Sequence, residues 1–246
     1  MRAPDRSPVD ADLAEDFSYH EEAWEKSYAN RDNFTFYPSE EVIRFVSRYI
    51  RKRTGLSEFR DIHSLDHAPR LLDLGCGIGS HVLFAYQTGL EVYGVDLSQT
   101  ALAVATERAA QVGLPPDRLQ QADIQHLPWP DGFFDYVISR AVLDSMHFEI
   151  ARVAVSEVAR LLSAHGLFYC DLISADDRHP SDFSGEEIVT GTLETGTVQS
   201  YFDVPKIQRL IEGHFVIRDA SLITKTNLRT SGGDARYHIV LEKAVR

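Results

Sequence analysis

Residues 70–79 read Arg70-Leu71-Leu72-Asp73-Leu74-Gly75-Cys76-Gly77-Ile78-Gly79, and the reading of the fold turns on this stretch. The apolar run from Arg70 to Leu74 ends at glycines, which predicts a short buried strand. Ser80 to Thr88, just behind the glycines, predicts a helix. Glycines between a strand and a helix let a ligand approach the backbone, because no Cβ intervenes. In open α/β sheets, ligands bind outside the carboxyl ends of strands at a topological switch point. The alternative reading is a tight strand-to-helix turn that holds no ligand.

The same alternation continues downstream. Glu91 to Asp96 predicts a second strand. Ser98 caps a helix carrying Ala101, Leu102, Ala105 and Ala109, which Gly113 and Pro115-Pro116 stop. A short strand is expected near Leu119 to Ala122, and a fourth from Phe134 to Ser139. Glu149 to Leu162 predicts an amphipathic helix, and Gly166 to Leu172 a fifth strand. Strands alternating with helices at this spacing imply a parallel, doubly wound sheet with right-handed crossovers. After Leu172 the alternation breaks. Residues 173–202 are polar, carry Gly185, Gly191 and Gly196, and read as an inserted cap with a hairpin around Glu194 to Gly196. A helix is expected from Pro205 to Glu212, then strands from Phe215 to Thr224 and from Arg236 to Lys243. Their linker suits a hairpin-like return, whereas a parallel pair needs a crossover of about a dozen residues or more. The last pair is therefore read as antiparallel, with Arg236 to Lys243 beside the fifth strand or at the edge. The expected fold is an α/β domain with a seven-stranded doubly wound sheet, mostly parallel with one antiparallel C-terminal strand.

Upstream, residues 1–16 are rich in Pro, Asp and Arg and read as a mobile tail without the apolar stretch of a secretory signal. Phe17, Tyr19, Trp24, Tyr28, Phe34, Phe36 and Tyr37 follow, too aromatic to stay solvated. Ser39 is placed to cap a helix on which Val42, Ile43, Val46, Tyr49 and Ile50 recur. Thr54 to Pro69 reads as a polar connector. Residues 17–246 are thus expected to form one domain, with 17–69 as an N-terminal cap and 173–202 as the inserted one.

The chain has 246 residues, 43% of them hydrophobic, enough to build a core. Asp and Glu number 37 against 25 Lys and Arg, a net charge of −12. That balance argues against nucleic acid or an anionic membrane as partner, since phosphates need clustered cations. Two cysteines, Cys76 and Cys170, make no disulfide framework and fit a reduced, cytoplasmic setting. No apolar run approaches the ~20 residues of a membrane span. The oligomeric state stays open.

The glycine-rich turn does not follow the dinucleotide fingerprint G-x-G-x-x-G/A. Gly75 and Gly77 fit, but the third position is Ser80 and the extra glycine is Gly79. Asp73, two residues before the first glycine, would repel a pyrophosphate and suits a cationic ligand. Asp96 follows Gly77 by 19 residues, near the offset at which an acid meets ribose hydroxyls.

Asp73 to Gly79, then Asp96, then Ala122-Asp123-Ile124, then Phe134 to Ser139 stand in an order that resembles the class I S-adenosylmethionine-dependent methyltransferases. The similarity runs from about Arg70 to Leu172 and less sharply to the final strands. It implies S-adenosylmethionine as methyl donor, with Gly75, Cys76 and Gly77 lining the methionine part. Asp73 would lie near the ammonium, directly or through water. Ser139 and Arg140 end the fourth strand, where the family often offers a backbone carbonyl to that ammonium. Leu97 would face the adenine ring, Asp123 would accept from its amino group, and the Ile124 amide would meet the ring. A cation beside a sulfonium is repelled, so the Arg140 side chain is expected to point away or toward an acidic substrate group.

Tyr28 and Tyr37 present aromatic faces that attract a sulfonium, although simple core packing is the other reading and the sequence does not choose between the two tyrosines. His147 or Glu149, just past the fourth strand, stands where a base for an acceptor proton is wanted; a surface histidine is the alternative. Cys76 is explained by small size and Cys170 by core packing. His63 and His67 sit four residues apart in a polar connector, and no metal is expected there. The implied reaction is in-line transfer of a methyl group to an oxygen or nitrogen of a small-molecule acceptor. Two other classes stay in view. A nicotinamide oxidoreductase is disfavoured by Ser80 and by the terminal strand pair, and a non-catalytic protein could keep the donor pocket alone.

Overall fold

The computed structural model describes residues 21–175, 185–229 and 233–244. Its main sheet has seven strands: β1 (Arg70–Leu74), β2 (Glu91–Asp96), β3 (Leu119–Gln121), β4 (Phe134–Ser139), β5 (Leu162–Ile173), β6 (Phe215–Thr226) and β7 (Gly233–Lys243). They lie in the order β3-β2-β1-β4-β5-β7-β6. The pairs β1/β2, β1/β4, β2/β3 and β4/β5 are parallel, and β7 runs antiparallel to both neighbours. The helices are α1 (21–29), α2 (Glu40–Phe45), α3 (Ser80–Gln87), α4 (Gln99–Val112), α5 (Phe148–Leu161) and α6 (Val204–Ile211).

The pleat of β1 shows why the sheet is covered on both faces. Leu72 and Leu74 join a core with α5, α6 and the rings of Phe134, Phe168 and Phe202. Leu71 points the other way, into a core with Val42 and Phe45 of α2 and Val82 of α3. Alternate residues face opposite sides of a strand, so an apolar run buried on both faces is the signature of a central parallel strand. The order of the sheet reverses across β1 and β4, which opens a crevice at their carboxyl ends.

The terminal strand pair is antiparallel as expected, and β7 is inserted between β5 and β6 rather than placed at the edge. The fifth strand begins at Leu162, earlier than Gly166, because α5 ends at Leu161 and the chain enters the sheet at once. Ser39 does cap α2, its Oγ accepting from Val42 N at 3.4 Å. The polar connector holds a short strand, Phe59–Asp61, paired with Arg51–Arg53. Its residues are mostly exposed, so no apolar alternation announced it. The inserted cap contains the expected hairpin, Glu186–Ile188 against Val198–Ser200. The expected tail at 1–16, the rings of Phe17 and Tyr19, and residues 176–184 of the inserted cap lie outside the described residues. Among the described residues, no helix is long and apolar enough to cross a membrane.

Candidate active site

A cavity of about 600 Å³ lies where β1, β2 and β4 end. Its floor is the glycine loop. Gly75 and Gly77 hold φ of 70° and 53°, in the left-handed region. A Cβ on Gly77 would stand 2.6 Å from the Tyr28 hydroxyl, and one on Gly75 would run into Val142. Both positions therefore need glycine for conformation and for space.

Asp96 closes one side. Its Oδ2 accepts from Gly77 N at 2.7 Å and its Oδ1 from Ser98 N at 2.9 Å. The carboxylate thus ties the end of β2 to the glycine loop. Each oxygen accepts one bond and retains a lone pair, which suits a pair of vicinal hydroxyls. Burial pushes the Asp96 carboxyl up to about 6, against the pull of the backbone amides of Ser98, Gly77 and Leu97. Leu97, Asp123 and Ile124 line the same end of the cavity. Asp123 also accepts from Gln125 N at 2.9 Å, which folds its loop back.

Asp73 lies buried at the end of β1 and is not among the residues that line the cavity. Its Oδ2 has no hydrogen-bond partner and sits 3.9 Å from His81 Nδ1. Burial and the nearby Asp96 push its carboxyl well above the usual carboxylate range. A buried carboxylate oxygen without a partner is costly, and a ligand cation at the methionine end would relieve it. Ser139 pairs in register with Leu74, level with the start of the glycine loop, and its buried Oγ is also unpartnered. The glycine cradle, the open lone pairs of Asp96 and the orphaned Asp73 oxygen together fit S-adenosylmethionine.

Tyr28 and Tyr37 both line the cavity. Tyr28 is buried, whereas Tyr37 is 81% exposed at the rim. Tyr28 packs with Ile78 and Ala101 and with Trp24 and Phe34 beside it, so the aromatic stretch does fold onto the glycine loop. Glu25 fastens α1 there by accepting from Gln99 N and Thr100 N, at 2.5 and 3.2 Å, at the start of α4.

His147 is not brought into the cavity lining. It occupies the cap position of α5, and its Nδ1 stands 2.7 Å from Glu186 Oε2 of the inserted hairpin. The Arg140 side chain does line the cavity, with Nε 3.1 Å from Asp171 Oδ2. Its nearest anion is thus an acid of its own chain.

Several lining residues escaped the reading of the sequence. His81 accepts from Ser39 N through Nε2 at 3.2 Å, and burial lowers its pKa to about 4, so it is neutral. Asp144, Asp171 and Arg236 form a buried ionic cluster. Arg236 donates from Nε to Asp171 Oδ2 at 2.8 Å and from Nη2 to Asp144. Asp144 also accepts from Ile173 N at 3.0 Å, and burial pushes its carboxyl up to about 6 although Arg236 opposes this. One signal was available: an acid inside the apolar run Phe168 to Leu172 needs a buried partner. Nothing local says that the partner comes from β7.

The segment before β1 and the segment after β5 meet directly. Asp32 Oδ2 of the first accepts from Glu194 N of the second at 3.1 Å. Glu194 itself lines the cavity and holds φ of 56°.

Residues 72–170 match the family described as a methyltransferase domain. The chain is 38% identical over 100 residues to an uncharacterized methyltransferase, YcgJ, of Bacillus subtilis, covering 40% of this chain and 38% of that protein. It is 31% identical over 147 residues to the methyltransferase GfsG of Streptomyces halstedii, covering 58% of this chain and 51% of that one. The chain thus spans about half or less of the length of these curated relatives. Among solved structures, a 1,6-didemethyltoxoflavin-N1-methyltransferase of Burkholderia thailandensis, with bound 1,6-didemethyltoxoflavin and S-adenosylhomocysteine, aligns with all of this chain and 94% of its own, at a TM-score of 0.67 and 15% identity. At that identity the likeness speaks for the fold alone. Strand order, the sequence of motifs along the sheet and the domain match agree: residues 72–170 are similar to a methyltransferase domain, and the sheet has the Rossmann-like fold seen in S-adenosylmethionine-dependent methyltransferases.

Proposed function

We propose that this protein transfers a methyl group from S-adenosylmethionine to an oxygen or nitrogen of a small-molecule acceptor. One observation carries the reading: a single cavity runs from the glycine loop and Asp96 to residues of both caps, Thr35, Glu194 and Gln199. Donor and acceptor would thus share one cavity. Its volume of about 600 Å³ lies within the ~300–1,000 Å³ usual for small-molecule sites.

When bound, S-adenosylmethionine supplies a methyl group on a sulfonium, already an activated leaving group. The work left to the protein is orientation and exclusion of water. Gly75, Cys76 and Gly77 line the methionine part, with Asp73 and the backbone of Ser139 and Arg140 toward the ammonium. Asp96 takes the ribose hydroxyls, and Leu97, Asp123 and Ile124 take the adenine. Tyr28, packed against the loop, offers its ring to the sulfonium in preference to exposed Tyr37. Holding the reacting pair in line can supply roughly 7–11 kcal/mol of the barrier. We assign no proton transfer to His147, since Glu186 holds its ring outside the lining. Residues 17–246 act as one domain with two caps, in the cytoplasm, and the charge of −12 weighs against nucleic acid and anionic membranes as partners.

The test is incubation with methyl-labelled S-adenosylmethionine and a panel of small phenols, amines and carboxylic acids. We expect S-adenosylhomocysteine to form with label on at least one class, and calorimetry to show binding of S-adenosylhomocysteine but not NADH. A folded protein that binds NADH instead would overturn the proposal. A protein that binds the donor yet transfers to nothing would point to the non-catalytic reading.

A further inference from the structure

The charged residues of the cavity are unevenly matched. Among the described lining residues, four carboxylates (Asp96, Asp123, Asp144 and Glu194) face two guanidinium groups, Arg140 and Arg236. Arg236 bridges two buried carboxylates, Asp144 and Asp171, and its side chain is 16% exposed. Arg140 is held differently. Its Nε faces Asp171 at 3.1 Å, its side chain is 32% exposed, and its Nη groups have no hydrogen-bond partner among the described residues. Asp171 is a fixed anchor: it is fully buried, accepts from Ala141 N at 2.7 Å, and is also held by Arg236. One edge of the Arg140 fork is therefore oriented while its other edge opens on a cavity lined by acids. A planar guanidinium with two free donors matches a carboxylate in bidentate fashion.

We propose that Arg140, seated by Asp171, is the carboxylate-binding residue of this cavity, and that it takes the α-carboxylate at the methionine end of the donor. This rests on the donor reading given above. Position favours that source: Arg140 follows Ser139, which pairs with Leu74 directly before Gly75. Without Arg140, the one guanidinium left among the described lining residues would be Arg236, which Asp144 and Asp171 already hold. Asp171 offsets the charge that would otherwise repel the sulfonium. An acidic acceptor is the other source of the same chemistry, and the experiment separates the two.

Calorimetry on wild type, Arg140→Met and Arg140→Lys compares S-adenosylhomocysteine with 5′-methylthioadenosine, which has the nucleoside and sulfur but no carboxylate. We expect Arg140→Met to weaken S-adenosylhomocysteine by about 10- to 100-fold, the loss of charge-assisted bonds, and to leave 5′-methylthioadenosine unchanged. Arg140→Lys should recover part of the loss. Equal losses for both ligands would mean a structural role and overturn the proposal. If neither ligand is affected, the donor assignment falls, and benzoate titrated into the S-adenosylhomocysteine complex decides the rest. Benzoate bound by wild type but not by Arg140→Met assigns the carboxylate to the acceptor; equal binding, or none, overturns Arg140 as a carboxylate site. A wild type that binds neither nucleoside overturns the donor reading itself, and the Arg140 assignment with it.

Discussion

The two halves of the cavity are built in different ways. The half proposed for the donor is built mostly from neighbouring strand ends between Asp73 and Arg140, with Tyr28 packed on the glycine loop, and its key bond, Gly77 N to Asp96 Oδ2, spans 19 residues. The half proposed for the acceptor is assembled across the whole chain. Asp144 meets Arg236 across 92 residues, and Asp32 meets Glu194 across 162. The proposed donor half is carried by backbone geometry that side-chain variation cannot easily replace. The acceptor half depends on side chains from caps, which change with little effect on the sheet. Substitutions in the first half should therefore remove binding, and those in the second should alter turnover while binding stays.

The largest effect is expected from Gly77→Val. A branched side chain must adopt a left-handed φ of 53° and would collide with the Tyr28 hydroxyl. Binding of S-adenosylhomocysteine should fall below detection in calorimetry. Retention of wild-type affinity would break the distinction at its base.

Asp96→Ala comes next. It should weaken S-adenosylhomocysteine by about 100-fold or more, as charge-assisted hydrogen bonds are worth about 1.5–3 kcal/mol each. The variant also frees Gly77 N and Ser98 N, so its melting temperature should drop. Circular dichroism of the variant separates lost binding from lost fold, and an unchanged dissociation constant would remove Asp96 from the site.

Asp32→Ala addresses the other half. Losing the bond to Glu194 N uncouples the caps, and misplacement of this order can cost about 100-fold in rate. Turnover should fall while donor affinity holds. A variant that loses donor affinity instead would show that the caps serve the donor and not the acceptor.

The smallest effect is expected from His147→Gln. The side chain is 38% exposed and its partner Glu186 lies on the inserted hairpin. The cost to stability should be below about 1 kcal/mol, as for other half-exposed ion pairs. Turnover near wild type, measured as S-adenosylhomocysteine release across pH 6–8, would support the assignment of no proton transfer to this ring. A loss of turnover with an altered pH profile would restore His147 as a base.

Much of the sheet, and most of the cavity lining at the glycine-loop end, could be read in advance because their determinants are local. Two-sided burial leaves a continuous apolar run in β1 and β4, left-handed turns leave Gly75 and Gly77, and Asp96 stands at a strand end. Conversely, the strand at Phe59–Asp61 left no trace because both its faces are mostly exposed. The choice between Tyr28 and Tyr37 also lay beyond the sequence, since two aromatic residues in one segment carry the same chemistry. Burial alone distinguishes them.

By itself, then, the amino-acid order determined the strand–helix alternation, the antiparallel return at the C-terminus, the glycine cradle and the positions of Asp73, Asp96 and Asp123. Each follows from residues within one strand, turn or helix. Tertiary structure alone decided that β7 enters between β5 and β6, that Arg236 thereby reaches Asp171 and Asp144, and that Asp32 meets Glu194. It also turned His147 toward Glu186 and Arg140 toward Asp171. The reason is physical: a charged or polar group taken out of water needs a partner near it in space, and chain separations of this length carry no local periodicity from which that neighbour can be read.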